Sequence, residues 1–360
     1  MPRLDSFGSS ASVRAAFASV ASPTLHLGRV VEEQREAFLV ALEASDLLCS
    51  IAGRLRHTAT DRLDVPVVGD WVGVEAPPPG STGRGRVACV LPRASVLIRK
   101  EVGRTGASQP VAANVDVVWI ATSANLDFNE GRLERWVTLA WESGAQPVVL
   151  LTKIDLVADA ADLVARAEAS APGVPVVGVS AVTGAGLDVV AARLAPGRTA
   201  ALVGSSGVGK STLVNRLLGE DVQRALPLTN DRDKGVHTTT SRRLLRLPGG
   251  ALLVDTPGMR EVGLTGDEGG VDTTFEDVAE LATHCRFRDC SHAVEPGCAV
   301  AAARRDGSLD ERRWASYEKL RREAEWIARK NDPAAASHQR KVWKKRVADS
   351  EAIRRLHGTQ

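Results

Sequence analysis

Gly204-Ser205-Ser206-Gly207-Val208-Gly209-Lys210-Ser211 has the residue types and spacing of a loop that cradles phosphates. Its glycines let the chain fold tightly, so that backbone N–H groups from Gly204 to Thr212 point inward at the α- and β-phosphates. The positive end of a helix starting at Lys210 adds to that pull. Lys210 then reaches the β- and γ-phosphates, and the Ser211 hydroxyl binds Mg²⁺. The alternative is a glycine-rich turn with no nucleotide. An apolar run before the loop and a helical pattern after it favour the nucleotide.

Two further segments fit the same ligand. Asp255-Thr256-Pro257-Gly258 follows the apolar run 251–254, where Asp255 can hold Mg²⁺ through water and the Gly258 N–H can meet the γ-phosphate. Between them, 231–242 contains Gly235-Val236-His237-Thr238-Thr239-Thr240, which reads as a switch whose threonine hydroxyl completes the Mg²⁺ shell. The pattern does not separate the three threonines; Thr239 is the expected ligand. His237 either orients water or is a solvated loop histidine.

Base selection falls to Thr152-Lys153-Ile154-Asp155. The Asp155 carboxylate accepts both N–H groups of the guanine edge, which adenine lacks, and such a site discriminates by roughly 10⁴ or more. The Lys153 stem lies across the base, and Ser180-Ala181 supplies a backbone N–H to the guanine carbonyl. Thr152 stands where such segments usually carry Asn. It lacks the amide that reaches the base and ties the phosphate loop down, so weaker nucleotide affinity is expected. After Gly258 comes Met259, where many GTPases have a water-orienting Gln, so unassisted hydrolysis is expected to be slow. The base reader here precedes the phosphate loop. That reverses the ordinary order and implies a circularly permuted GTPase domain.

A second constellation is Cys285-x₄-Cys290-x-His292-x₅-Cys298. Three thiolates and an imidazole so close together make a closed, structural Zn²⁺ site, with Glu295-Pro296-Gly297 as the tight turn. Buried free cysteines beside a surface histidine are the alternative. Three of the five cysteines cluster here and no export signal precedes them, which argues for metal rather than disulfides.

The elements that must position these residues fall into three compositions. From 25 to 108, short β-rich runs (37–42, 47–51, 69–74, 86–91, 95–100) with turn-rich separators such as Ala76-Pro77-Pro78-Pro79-Gly80 suit an OB-type barrel, or else a small sandwich without ligand. From 109 to 265, strands at 115–121, 146–151, 174–179, 199–203, 244–247 and 251–254 alternate with helices at 130–143, 158–169, 187–194 and 210–218. Such βα units imply a mostly parallel sheet covered on both faces. From 266 to 360 the chain is helical and basic, densest at Arg340-Lys341-Val342-Trp343-Lys344-Lys345-Arg346. There Arg340, Lys341, Trp343, Lys344, Lys345 and Arg346 either bind RNA, with a base on the indole, or form a solvated helix face.

The 360 residues suffice for several domains, and the net charge of +2 conceals that basic end. Residues 1–24 are small and polar and read as a partly ordered arm. No apolar run is long enough to cross a bilayer, so no membrane contact is expected; residues 1–24 lack a signal peptide's apolar stretch, so the expected location is cytoplasmic, and the expected state is a monomer.

Taken together, the chain resembles the bacterial family of ribosome-dependent, circularly permuted GTPases of small-subunit biogenesis. The likeness rests on Pro66-Val67-Val68-Gly69-Asp70-Trp71-Val72, the permuted motif order, Gly235 to Thr240, the cluster Cys285 to Cys298 with Phe287-Arg288-Asp289 inside it, and Asp332-Pro333-Ala334-Ala335-Ala336. It implies an N-terminal OB domain, a central permuted α/β P-loop GTPase domain and a C-terminal α-helical zinc-binding domain. It also implies GTP hydrolysis to GDP stimulated by the 30S subunit, with 16S rRNA as partner and Zn²⁺ and Mg²⁺ as cofactors. A nucleotide-regulated RNA-binding scaffold and a permuted GTPase acting on the large subunit are the other two readings.

Overall fold

In a computed structural model of the chain, the described residues are 2–34, 37–59, 62–78, 83–100, 108–125, 128–225, 242–255, 268–288, 290–292 and 295–331. The chain divides into two compact units, Met1–Gly263 and Leu264–Gln360.

The first unit opens with a tight turn, Arg3–Phe7, and helix α1 (Ala11–Val20), whose N-terminus is capped by the Ser10 hydroxyl accepting from the Val13 N–H. Val13 and Phe17 fall four residues apart on one helix face, and with Leu4 and Phe7 they pack against Trp71 and Leu91.

A five-stranded barrel follows, made of β1 (Leu25–Glu33), β2 (Phe38–Leu42), β3 (Asp46–Ile51), β4 (Trp71–Glu75) and β5 (Gly85–Val90), with α2 (Gly53–Thr58) between β3 and β4. The order β1-β2-β3-β5-β4 returns to β1 and closes the barrel; β3 and β5 run parallel, the other pairs antiparallel. Val30, Val40, Cys49, Val72, Val74 and Val87 fill it without solvent contact.

One strand differs from the sequence reading. Residues 95–100 were expected in the barrel, but β6 (Val96–Lys100) pairs with β7 (Ser108–Ala113) in a separate two-stranded sheet. The fifth barrel strand is β1, whose apolar pattern is interrupted by Gly28 and Arg29. Arg29 is nevertheless only 2% exposed. Its guanidinium donates to the Gly69 and Asn114 carbonyls (both 3.2 Å), to the Phe7 carbonyl and to the Thr199 hydroxyl (2.9 Å), and lies over the Trp71 ring.

The α/β part contains β8 (Val117–Ser123), α3 (Glu130–Glu142), β9 (Gln146–Thr152), α4 (Ala161–Ser170), β10 (Val176–Val179), α5 (Leu187–Ala192), β11 (Thr199–Gly204), α6 (Lys210–Ala225), β12 (Arg242–Arg246) and β13 (Leu252–Asp255). Strands β10-β9-β8-β11-β13 are parallel, and β12 adds antiparallel to β13. Near-continuous burial of β8, β9 and β11 reflects helices on both faces. Within α6, Gly219 leaves helical geometry (φ 72°, ψ 161°), so the first helical stretch ends at Leu218. Strand β12 also pairs with β1, through Glu33↔Arg242 and Glu32↔Arg243, whose side chains form ion pairs at 2.9 and 3.1 Å. Barrel and α/β sheet are thereby hydrogen-bonded into one surface.

The second unit holds α7 (Glu268–Thr274), α8 (Glu276–Thr283), α9 (Ala299–Asp306) and α10 (Glu311–Asn331), with the cysteine-rich loop between α8 and α9. Its core is aromatic: Phe275 meets the Tyr317 ring edge-on at 5.5 Å. Arg313, 6% exposed, lies over Phe275 and pairs with Asp277 at 2.6 Å. Among the described residues, no helix is long and apolar enough to cross a membrane.

Candidate nucleotide site and metal centre

The phosphate loop lies where the sequence puts it, between β11 and α6. Gly204 has φ +138°, and a Cβ there would stand 2.2 Å from the Ala121 carbonyl oxygen of β8, so no other residue fits. Lys210 donates to the carbonyls of Gly204 (2.8 Å) and Ser205 (2.6 Å), which holds its ammonium at the loop mouth. Ser206, Gly207, Ser211 and Thr212 are exposed, whereas Val208 is buried and anchors the loop in the core.

The base reader comes off the end of β9, two strands from the loop. Lys153 takes the left-handed conformation (φ 61°), which turns the chain sharply into Ile154–Leu156 and leaves Asp155 exposed at the sheet edge. Lys153 donates to the Gly207 carbonyl at 2.7 Å. The Thr152 hydroxyl, 5% exposed, donates to the Val208 carbonyl at 2.7 Å, with the Thr122 carbonyl at 3.2 Å. The sequence reading expected Thr152 to leave the phosphate loop untied. The hydroxyl makes that tie, because it reaches a carbonyl as an amide N–H would. Ser180 follows β10, the parallel neighbour of β9, and its buried hydroxyl accepts from the Thr183 N–H at 3.1 Å, folding the turn that carries Ala181.

Strand β13 is the parallel neighbour of β11 on the other side, and Asp255 is its last residue. One contact has no counterpart in the sequence reading: Arg132, in the first turn of α3, donates to the Ser205 hydroxyl at 2.9 Å. An arginine in a surface helix carries no signal of that kind. His237, Thr239, Thr256 to Met259, and Arg340, Lys341, Trp343, Lys344, Lys345 and Arg346 lie outside the described residues.

In the second unit, the ligand atoms of Cys285, Cys290, His292 and Cys298 all lie within 4.8 Å of one another. Cys285 Sγ and Cys298 Sγ stand 3.8 Å apart, and each lies 3.5–3.6 Å from His292 Nδ1. A tetrahedral Zn²⁺, with bonds of about 2.3 Å to sulfur and about 2.0–2.1 Å to nitrogen, separates its ligands by about 3.8 Å and about 3.5 Å. The donor set and its spacing therefore fit zinc. His292 adopts φ 62° and packs edge-on against Trp314 at 5.8 Å. Burial, with Arg321 nearby, holds its imidazole below the ordinary value, which favours the neutral, metal-ligating form. Cys298 Sγ also accepts from the Ala301 N–H at 3.3 Å and so caps the start of α9.

Residues 90–265 match the family model described as RsgA GTPase. Over 350 residues the chain is 46% identical to the small ribosomal subunit biogenesis GTPase RsgA of Opitutus terrae, an alignment covering 95% of each chain. The chain belongs to the RsgA GTPase family. The RsgA of Streptomyces coelicolor is 47% identical over 97% of this chain and 94% of its own. Among solved structures, YjeQ from Thermotoga maritima superposes with a TM-score of 0.62 at 27% identity, covering 83% of this chain and 98% of that one. YloQ, described as a circularly permuted GTPase, gives 0.60 at 25% identity, with 86% and 96% covered. The fold is thus that of an RsgA-type circularly permuted GTPase, with the barrel before residues 152–155 in sequence and the Cys₃His cluster after Asp255.

Proposed function

We propose that the protein hydrolyses GTP to GDP and phosphate while bound to the 30S subunit, in late assembly of that particle. The observation that carries this is the tie between base reader and phosphate loop. Thr152 and Lys153 of the guanine-reading segment hold Val208 and Gly207 of the loop.

Asp155 accepts the guanine edge, and the N–H groups of the loop hold the phosphates with Lys210 on the β- and γ-oxygens. Ser211, Asp255 and a switch threonine, Thr239, are the groups to hold Mg²⁺, which when bound neutralises charge on those oxygens. With Met259 in place of Gln, a second group has to order the attacking water, and His237 is the nearest histidine in sequence to the switch threonines. Dependence on the subunit follows from that substitution. Zn²⁺ at Cys285, Cys290, His292 and Cys298 folds the second unit. The basic segment Arg340 to Arg346 is assigned to 16S rRNA phosphates, with Trp343 available to stack on a base.

GTP turnover measured with and without 30S subunits tests this reading. Stimulation of at least about 10-fold is expected, abolished by Lys210→Ala, and binding to the subunit should weaken steeply with salt. Equal turnover with and without subunits would overturn it.

A further inference from the structure

The phosphate loop is gripped at its two ends by different side chains. At one end, Val208 and Gly207 are held by Thr152 and Lys153 of the base reader. At the other, the carbonyls of Gly204 and Ser205 hold the Lys210 ammonium. That ammonium is the group that meets the β- and γ-phosphates in loops of this kind. Ser205 therefore lies at the end of the loop assigned to the β- and γ-phosphates, and Arg132 reaches it at 2.9 Å.

Arg132 is well placed for a charge effect. Strand β8, which leads into α3, is the parallel neighbour of β11, with Gly204 opposite Ala121, so the first turn of α3 and the loop share one sheet edge. The Asn129 side chain caps α3 by accepting from the Arg132 N–H at 2.8 Å. The partial positive charge of a helix N-terminus thus adds to the charge of the guanidinium. Arg132 is half-buried, where solvent screens it less than at the open surface.

We propose that Arg132 is a positioning residue for the γ-phosphate: through Ser205 it fixes the γ end of the loop, and so favours GTP over GDP and assists hydrolysis. The inference rests on the GTP-hydrolysis reading above. Charge in phosphoryl transfer gathers on the γ-phosphoryl and the leaving oxygens, and preorganised donors and cations there lower the barrier. A site with Met259 in the place of Gln has particular need of such a group.

The test uses the full chain carrying Arg132→Ala, Arg132→Lys, Ser205→Ala, or Arg132→Ala with Ser205→Ala. Readouts are binding of fluorescent GDP, binding of a non-hydrolysable GTP analogue, and kcat and KM for 30S-stimulated turnover. Arg132→Ala should keep GDP affinity within about 2-fold, which also reports a folded site, while analogue affinity and kcat each fall about 10-fold. Lys should restore part of the loss, and the double variant should be no worse than Arg132→Ala alone. Equal losses for GDP and the analogue, additive losses in the double variant, or no loss at all would each overturn the proposal. A wild-type chain that neither binds nor hydrolyses GTP would overturn the underlying reading, and the proposal with it. Normal wild-type turnover with an indifferent Arg132→Ala would overturn this proposal alone.

Discussion

The hydroxyl of Thr152 donates a 2.7 Å hydrogen bond to the carbonyl of Val208, joining the base-reading segment to the phosphate loop across 56 residues of sequence. Both groups are buried, so the bond is made where water does not compete. The threonine replaces the usual asparagine in one of its two tasks, holding the loop, and gives up the other, reaching the base.

Removing that hydroxyl strands a buried carbonyl. Thr152→Val should weaken binding of both GTP and GDP about 10-fold. Thr152→Asn keeps a donor toward Val208 and adds a reach to the base, so it should bind more tightly than the native chain. Titration with a fluorescent guanine nucleotide measures both; an unchanged Kd in Thr152→Val would show that the bond does not hold the loop.

Asp155 stands exposed at the sheet edge with its carboxylate as a double acceptor. Asp155→Asn replaces one acceptor by a donor that opposes the guanine N–H groups. Affinity for GTP should fall on the order of 100-fold, and the preference over ATP should collapse. Competition between the two nucleotides reads this directly, and retained guanine preference would move base recognition elsewhere.

The Cys₃His spacing matches a tetrahedral ion, and an ion bound there would couple metal binding to folding of the second unit. The purified protein should carry one zinc per chain by elemental analysis. A strong chelator, or Cys298→Ser, should abolish the cooperative melt of 264–360 while leaving GDP binding by the first unit intact. A melt insensitive to chelation would remove the structural role.

Arg29 joins the barrel to Thr199, the first residue of the strand that feeds the phosphate loop. Arg29→Met leaves the Gly69 and Asn114 carbonyls and the Thr199 hydroxyl without its donors, and should cost about 3 kcal/mol, seen as a lower melting temperature. Burial pushes the Arg29 guanidinium down to about 10, against the pull of Asp116 and Asp70. Below that value both folded and unfolded states are charged, so Arg29 adds no pH dependence from pH 6 to 9. Above it the unfolded chain binds more protons than the folded one, and stability relative to Arg29→Met should rise. Melting curves of the two proteins at pH values below and above about 10 check the sign.

Local chemistry was legible in the chain itself. A phosphate loop needs one strand, one glycine-rich turn and one helix in succession, and Ala200 to Leu218 supplies all three within a single stretch. The Cys₃His donors fall within fourteen residues, close enough for spacing to report geometry. The βα alternation was equally plain, since strands buried on both faces read as apolar runs. Barrel membership was not. Strand β1 carries Gly28 and a buried Arg29, so its pattern resembles a surface strand until Gly69, Asn114 and Thr199 are brought around the guanidinium.

The order of motifs along the chain, the types of residue at each site and the permutation itself were therefore determined by sequence alone, because each depends on neighbours in the chain. Tertiary structure decided which strand closes the barrel, that Thr152 ties the loop, and that Arg132 touches Ser205. Those contacts join residues 42 to 50, 56 and 73 positions apart. A hydrogen bond across such a separation is specified by how the sheet stacks its strands, and no local pattern of side chains records it.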